Sequence, residues 1–165
     1  MTAPDRVAQI QAEWRLARPD LDPSPQGVIG RLHRIAQALT RELTEVYAGF
    51  GLSEPEFDLL ATLRRAGEPY ARTAGELAAH TMVTSGGLTK RVDRLVERGL
   101  VAREGGADDA RRRLVRLTPA GLTLIDEAVT AHLANERRLL DELGPADAAA
   151  IEPILTRWLA LLEPE

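Results

Sequence analysis

Nine of the chain's lysines and arginines fall between residues 84 and 118, against five acids, while the other positions hold twelve basic and twenty acidic residues. The local balance is +4 and the remainder −8, within a formal net charge of −4. Ammonium and guanidinium groups pair with phosphate oxygens, and a guanidinium fork can also read a base edge. A reversal of sign confined to one stretch of an acidic chain therefore points to a nucleic acid. The cations are Lys90, Arg91, Arg94, Arg98, Arg103, the run Arg111 to Arg113, and Arg116. A solvated charge run is the plain alternative.

The surrounding residues predict how these cations are held. From Thr73 to Thr118 the order is helix, helix, two-stranded ribbon. Thr73 and Glu76 have capping-box spacing, ahead of an inward-facing Leu77 and Ala78. A second helix is expected to start at Thr84 and to bury Leu88, Val92 and Leu95, which repeat at helical spacing. At roughly 100° per residue, Gly86, Thr89, Lys90, Asp93 and Arg94 then face the other way. Gly86 and Gly87 are placed in its first turn, where small residues allow close approach to a groove. Gly99 ends the helix, Val101–Glu104 and Leu114–Leu117 read as strands, and GGADDARR between them is a wing tip. The fold class is mainly α with a small β-wing, a winged helix-turn-helix. The DNA-contact candidates are Thr84, Ser85, Gly86, Thr89, Lys90 and Arg94, with Asp109, Arg111 and Arg112 at the tip.

Helices are expected on both sides of this unit. Residues 2–17 read as a leading helix, with Thr2 and Asp5 at capping-box spacing and Val7, Ile10 and Trp14 on one face, followed by the linker RPDLDPSPQG. Residues 28–48 carry an apolar stripe of about five turns, the mark of a long core helix. Ser53 and Glu56 form another capping box before Phe57, Leu60 and Leu63, and Asp58 falls on the less apolar side, as a solvated carboxylate would. Thr118-Pro119 opens a further amphipathic helix, Gly144-Pro145 breaks it, and Pro153 should kink the last helix or mark its true start. The stripes of 28–48 and 119–163 exceed what one winged unit, 53–118, can cover, so the chain is read as one domain, 1–165, that forms a homodimer.

Several functions are excluded or disfavoured by the same residues. There is no cysteine, which rules out disulfides, thiolate metal sites and cysteine redox sensing. His33, His80 and His132 are too scattered for a metal-ligand pattern, and no metal or cofactor is expected. No nucleophile-with-base pattern, phosphate loop or carboxylate pair marks an enzyme. No run approaches the roughly 18 apolar residues of a membrane span, and the N-terminus lacks an apolar secretory core, so no membrane partner and a cytoplasmic location are expected. A dimeric scaffold that does not bind DNA is the competing reading. Steep salt dependence of DNA binding would separate the two.

At the tip and second strand, DARRRLVRLT fits the pattern Asp-x-Arg-x-x-x-Val-x-Leu-Thr at Asp109, Arg111, Val115, Leu117 and Thr118, and the chain here resembles the MarR family of winged-helix regulators. The resemblance implies that Arg111 enters the minor groove with Asp109 bracing it, and that the first and last helices form a dimer on a near-palindromic operator. EWRLARPDLD, VIGRLHRI, EFDLLATLRRAG and AHLANERRLL also resemble, in the same order, the urate-responsive PecS/HucR-like branch. That branch implies a ligand set of Trp14, Asp58, Arg91 and Arg103, and a repressor released by a small anion, urate foremost. Arg91 lies only about 65° from the buried stripe, which is compatible with an inward-facing guanidinium. An aconitate- or citrate-like carboxylate or a phenolic compound would fit much the same residues. Trp14 as a staple for the leading helix, and Arg91 and Arg103 as phosphate contacts or ion-pair partners, are the plain alternatives.

Overall fold

The computed structural model describes residues 3–81, 87–105 and 114–163, and the chain divides into two compact units, residues 1–43 and 44–165. In the first, helix α1 (Arg6–Ala17) packs on the opening turns of α2 (Gln26–Gly49). Its cap is Asp5, whose carboxylate accepts from the Ala8 N–H at 2.8 Å, and Thr2 of the expected capping box lies outside the described residues. The same carboxylate takes a two-pronged contact from Arg31, at 2.7 and 3.1 Å, and Arg31 followed by the Ala8 amide holds Asp5 below the usual carboxylate range. Val7 lies over Gly30, where a Cβ would meet it at 3.2 Å, and Gln11 donates to the Pro23 carbonyl at 2.9 Å.

The second unit takes over α2 at Thr44 and continues with α3 (Glu54–Arg65), β1 (Ala71–Thr73), α4 (Ala74–His80), α5 (Leu88–Glu97), β2 (Val101–Glu104), β3 (Leu114–Leu117), α6 (Pro119–Leu143) and α7 (Pro145–Leu162). The ribbon expected from the sequence is an antiparallel sheet of three strands in the order β1-β3-β2, with Arg72 and Arg103 both opposite Val115. Leu59, Leu60, Leu63, Leu77, Leu95 and Ile125 form its fully buried centre.

Helix α3 runs through that centre, and every residue from Glu56 to Leu63 is buried. This corrects the reading of Asp58 as solvated. Asp58 is 8% exposed and Thr62 1%, because a helix enclosed on all sides has no solvent face for its polar residues. At the root of α6 the Thr118 hydroxyl donates to the Gly99 carbonyl at 2.7 Å and accepts from the Gly121 N–H at 3.0 Å. Gly121 presses on the backbone here: a Cβ would fall far inside van der Waals contact with the Leu100 carbonyl oxygen.

Two expectations about the long helices change. Among the described residues of α2 only Tyr47 is buried, and Val28, Ile29, Ile35 and Leu39 are exposed in a single chain, so 28–48 is not a core helix of the chain. Helix α7 starts at Pro145 and continues past Pro153, which marks no start. No residue of α7 is buried, and Ile151, Ile154, Leu155, Leu159 and Leu162 are all exposed.

Candidate nucleic-acid interface

The cationic face is built on α5. Val92 and Leu95 anchor this helix in the core. Its N-cap is Gly87, with φ of +83°, a left-handed backbone that suits glycine. Gly87 therefore precedes the helix instead of lying in its first turn. Thr84, Ser85 and Gly86, at the expected helix start, lie outside the described residues, as do Asp109, Arg111 and Arg112 of the tip. Thr89, Lys90 and Arg94 are exposed where the helical wheel puts them, and Gly87, Lys90, Arg91, Asp93 and Arg94 line a shallow, open cleft.

Two carboxylates restrain this face. Asp93 pairs with Arg103 of β2 at 2.6 Å, tying α5 to the ribbon. Glu56 of α3 meets Arg94 Nε at 3.5 Å and Arg98 Nη1 at 4.0 Å. Burial pushes the Glu56 carboxyl up, but the Ser53 bonds together with Arg94 and Arg98 outweigh it and leave it below the ordinary glutamate value. The sequence marked Glu56 only as half of a capping box. That role is real, since the Ser53 amide and hydroxyl both donate to Glu56 Oε2, at 2.9 and 2.7 Å, but it uses one oxygen and leaves Oε1 toward α5.

The four residues of the implied ligand set are differently placed. Arg91 is half-buried on α5, Arg103 is held by Asp93, and Asp58 on α3 has Arg65 at 3.7 Å. Trp14, on α1 of the first unit, is 45% exposed.

A cluster near Asp58 escaped the sequence reading, in which His132 was ordinary. The Tyr47 and Phe57 rings stack with centroids 4.2 Å apart, the Tyr47 hydroxyl meets His132 Nδ1 at 3.2 Å, and His132 Nε2 meets Glu136 at 3.3 Å. Burial, then the charges of Glu54, Glu136 and Asp58, push the Tyr47 phenol up to about 12. A phenol with a raised value keeps its proton better in the folded chain. Its stabilising contribution is therefore complete below pH 10 and is lost as pH rises toward 12. Thermal melts should show this decline for the wild type and a flatter alkaline limb for Tyr47→Phe. Identical limbs would contradict the burial of this hydroxyl.

Among the described residues no group of three or more His, Asp or Glu is placed to hold a metal ion, and no helix is long and apolar enough to cross a membrane. The model of the MarR family matches residues 50–112, the stretch that carries α3, β1, α4, α5 and β2. The HTH-type transcriptional regulator PecS of Dickeya dadantii is 38% identical over 151 residues, 92% of this chain and 91% of that protein. Among solved structures, a mutant of Escherichia coli MarR complexed with operator DNA superposes with a TM-score of 0.67 at 27% identity, covering 88% of this chain and 97% of that one. Bordetella bronchiseptica BpsR, in a study of how 6-hydroxynicotinic acid regulates its DNA binding, gives a TM-score of 0.66 at 26% identity over 79% of this chain and 91% of that one.

Proposed function

We propose that this chain, which belongs to the MarR family of DNA-binding transcription regulators, is a homodimeric repressor that leaves a palindromic operator when a small planar anion binds, urate foremost. The observation that carries the DNA-reading part is the face of α5, where Thr89, Lys90 and Arg94 are exposed on a helix anchored by Val92 and Leu95. Lys90 and Arg94 take phosphates or base edges in the major groove, and Arg111 takes the minor groove. Similarity to MarR bound to operator DNA supports this arrangement. The exposed apolar stripe of α7 supports a dimer, whose two recognition helices would meet successive major grooves.

Release follows from the ties on α5. An anion that draws Arg103 away from Asp93 undoes the strap between the recognition helix and β2, and one that draws on Arg91 competes on the same helix. A planar anion matches the flat guanidinium fork. The regulation of BpsR by 6-hydroxynicotinic acid, itself a planar ring acid, supports an effector of this shape. Asp58 and Trp14 enter the ligand set through the family resemblance.

The deciding experiment titrates urate into the protein bound to DNA from upstream of its own gene, with Asp58→Asn and Trp14→Phe variants first shown to bind that DNA normally. Release of the wild type with resistance in both variants is the expected result. A complex indifferent to urate overturns the urate assignment and leaves DNA binding standing. Absence of any salt-sensitive complex overturns the repressor reading as a whole.

A further inference from the structure

Glu56 is a buried carboxylate whose two oxygens do separate things. Oε2 accepts from the Ser53 amide and hydroxyl and so is committed to the start of α3. Oε1 faces Arg94 Nε at 3.5 Å, while Oε2 has Arg98 Nη1 at 4.0 Å one turn further along α5. Arg94 is nonetheless well exposed, with 59% of its side chain accessible against 10% for Glu56. A fixed carboxylate at ion-pair distance from Nε draws that side of the guanidinium inward and favours an outward Nη edge, and two parallel N–H groups so aimed can discriminate a base edge where a freely swinging cation neutralises whichever phosphate is nearest.

We propose that Glu56 is a positioning residue for DNA reading: it braces Arg94 from inside the fold and makes that arginine a specificity contact, while restraining it from indiscriminate phosphate binding. The inference rests on the DNA-reading face proposed above. It extends that face inward, to a residue that never meets DNA. The brace is attached to α3, so the aim of Arg94 is referred to the core and not to the recognition helix that carries it.

Glu56→Gln tests this cleanly. Its amide oxygen can still accept from Ser53, as glutamine does in capping boxes, while its NH2 turns a donor toward Arg94. Affinities for a duplex from the upstream region and for a scrambled duplex of equal length and composition would be measured over a range of salt. The variant should lose about tenfold in the ratio of the two affinities. Binding to the scrambled duplex should hold or rise, its salt slope steepening by about 0.9 per protomer, about 1.8 for a dimer, as each released Arg94 takes a phosphate. In an Arg94→Gln background the same Glu56 substitution should change the ratio no further. An unchanged ratio, or an equal fall without Arg94, overturns the brace. Should Glu56→Gln fail to fold, Arg94→Lys decides from the other end: it keeps the charge but has no fork to brace, so the ratio should fall with no loss of slope, and a wild-type ratio overturns the proposal. A wild-type protein with no preference between the duplexes is a different result, one that overturns the DNA-reading assignment itself.

Discussion

Leu95→Ala should lose about 2–5 kcal/mol of stability, read as a lower denaturant midpoint with unchanged slope. Leu95 is 0% exposed and, with Val92, fixes α5 against the core. Removing its three outer carbons leaves a cavity beneath the helix on which the proposed DNA contacts lie. A loss of that size is a large share of the roughly 5–15 kcal/mol that holds an ordinary domain together. DNA affinity should fall with it. Thr89→Ala, on the exposed face of the same helix, is the contrasting variant: stability should stay within about 0.5 kcal/mol while DNA affinity drops. Equal stability for wild type and Leu95→Ala would mean that α5 is not anchored as described.

Leu155→Asp combined with Leu159→Asp should turn the proposed dimer into a monomer and weaken operator binding by about a hundredfold or more. The two leucines lie one turn apart on a stripe with Ile151 and Leu162, exposed in a single chain along a helix with no buried residue. Two aspartates would place unpaired charges in a closed apolar contact, which disfavours pairing strongly. The effect on DNA is larger than any single lost contact, since two linked half-site readers gain about 10²–10⁴ over either alone through effective concentration. Light scattering and operator titration on a variant with wild-type helix content would check it. A dimeric mass for the double variant would remove α7 from the pairing surface.

What was legible in the sequence was chemistry local to a few residues. The Thr73/Glu76 and Ser53/Glu56 capping boxes, Thr118 ahead of Pro119, and both strands of the ribbon form where their spacing placed them, because a cap or a strand end is satisfied within a turn of chain. Strand β1 was not legible: three residues pairing with a strand about forty positions away leave no alternation to read. The wheel misjudged Asp58 for a related reason, since facing away from Leu60 implies solvent only when a helix has one buried side, and α3 is buried all round. The same gap hid the Tyr47–Phe57–His132 contact, which joins positions 85 residues apart, and the second role of Glu56, whose partners Arg94 and Arg98 sit on another helix.

The junction of Gly121 with the Leu100 carbonyl gives α6 a mechanical character. Backbone lies against backbone there, with no side chain between to yield, and the Thr118 hydroxyl clamps the same spot. A displacement of the ribbon would thus be handed to the helix root with little slack. At 1.5 Å per residue the 25 residues of α6 form a lever about 37 Å long. A tilt of about 5° at its fulcrum would sweep the far end through roughly 3 Å, and a shift too small to break one ion pair near the wing would arrive at the other end as a movement the width of an atom.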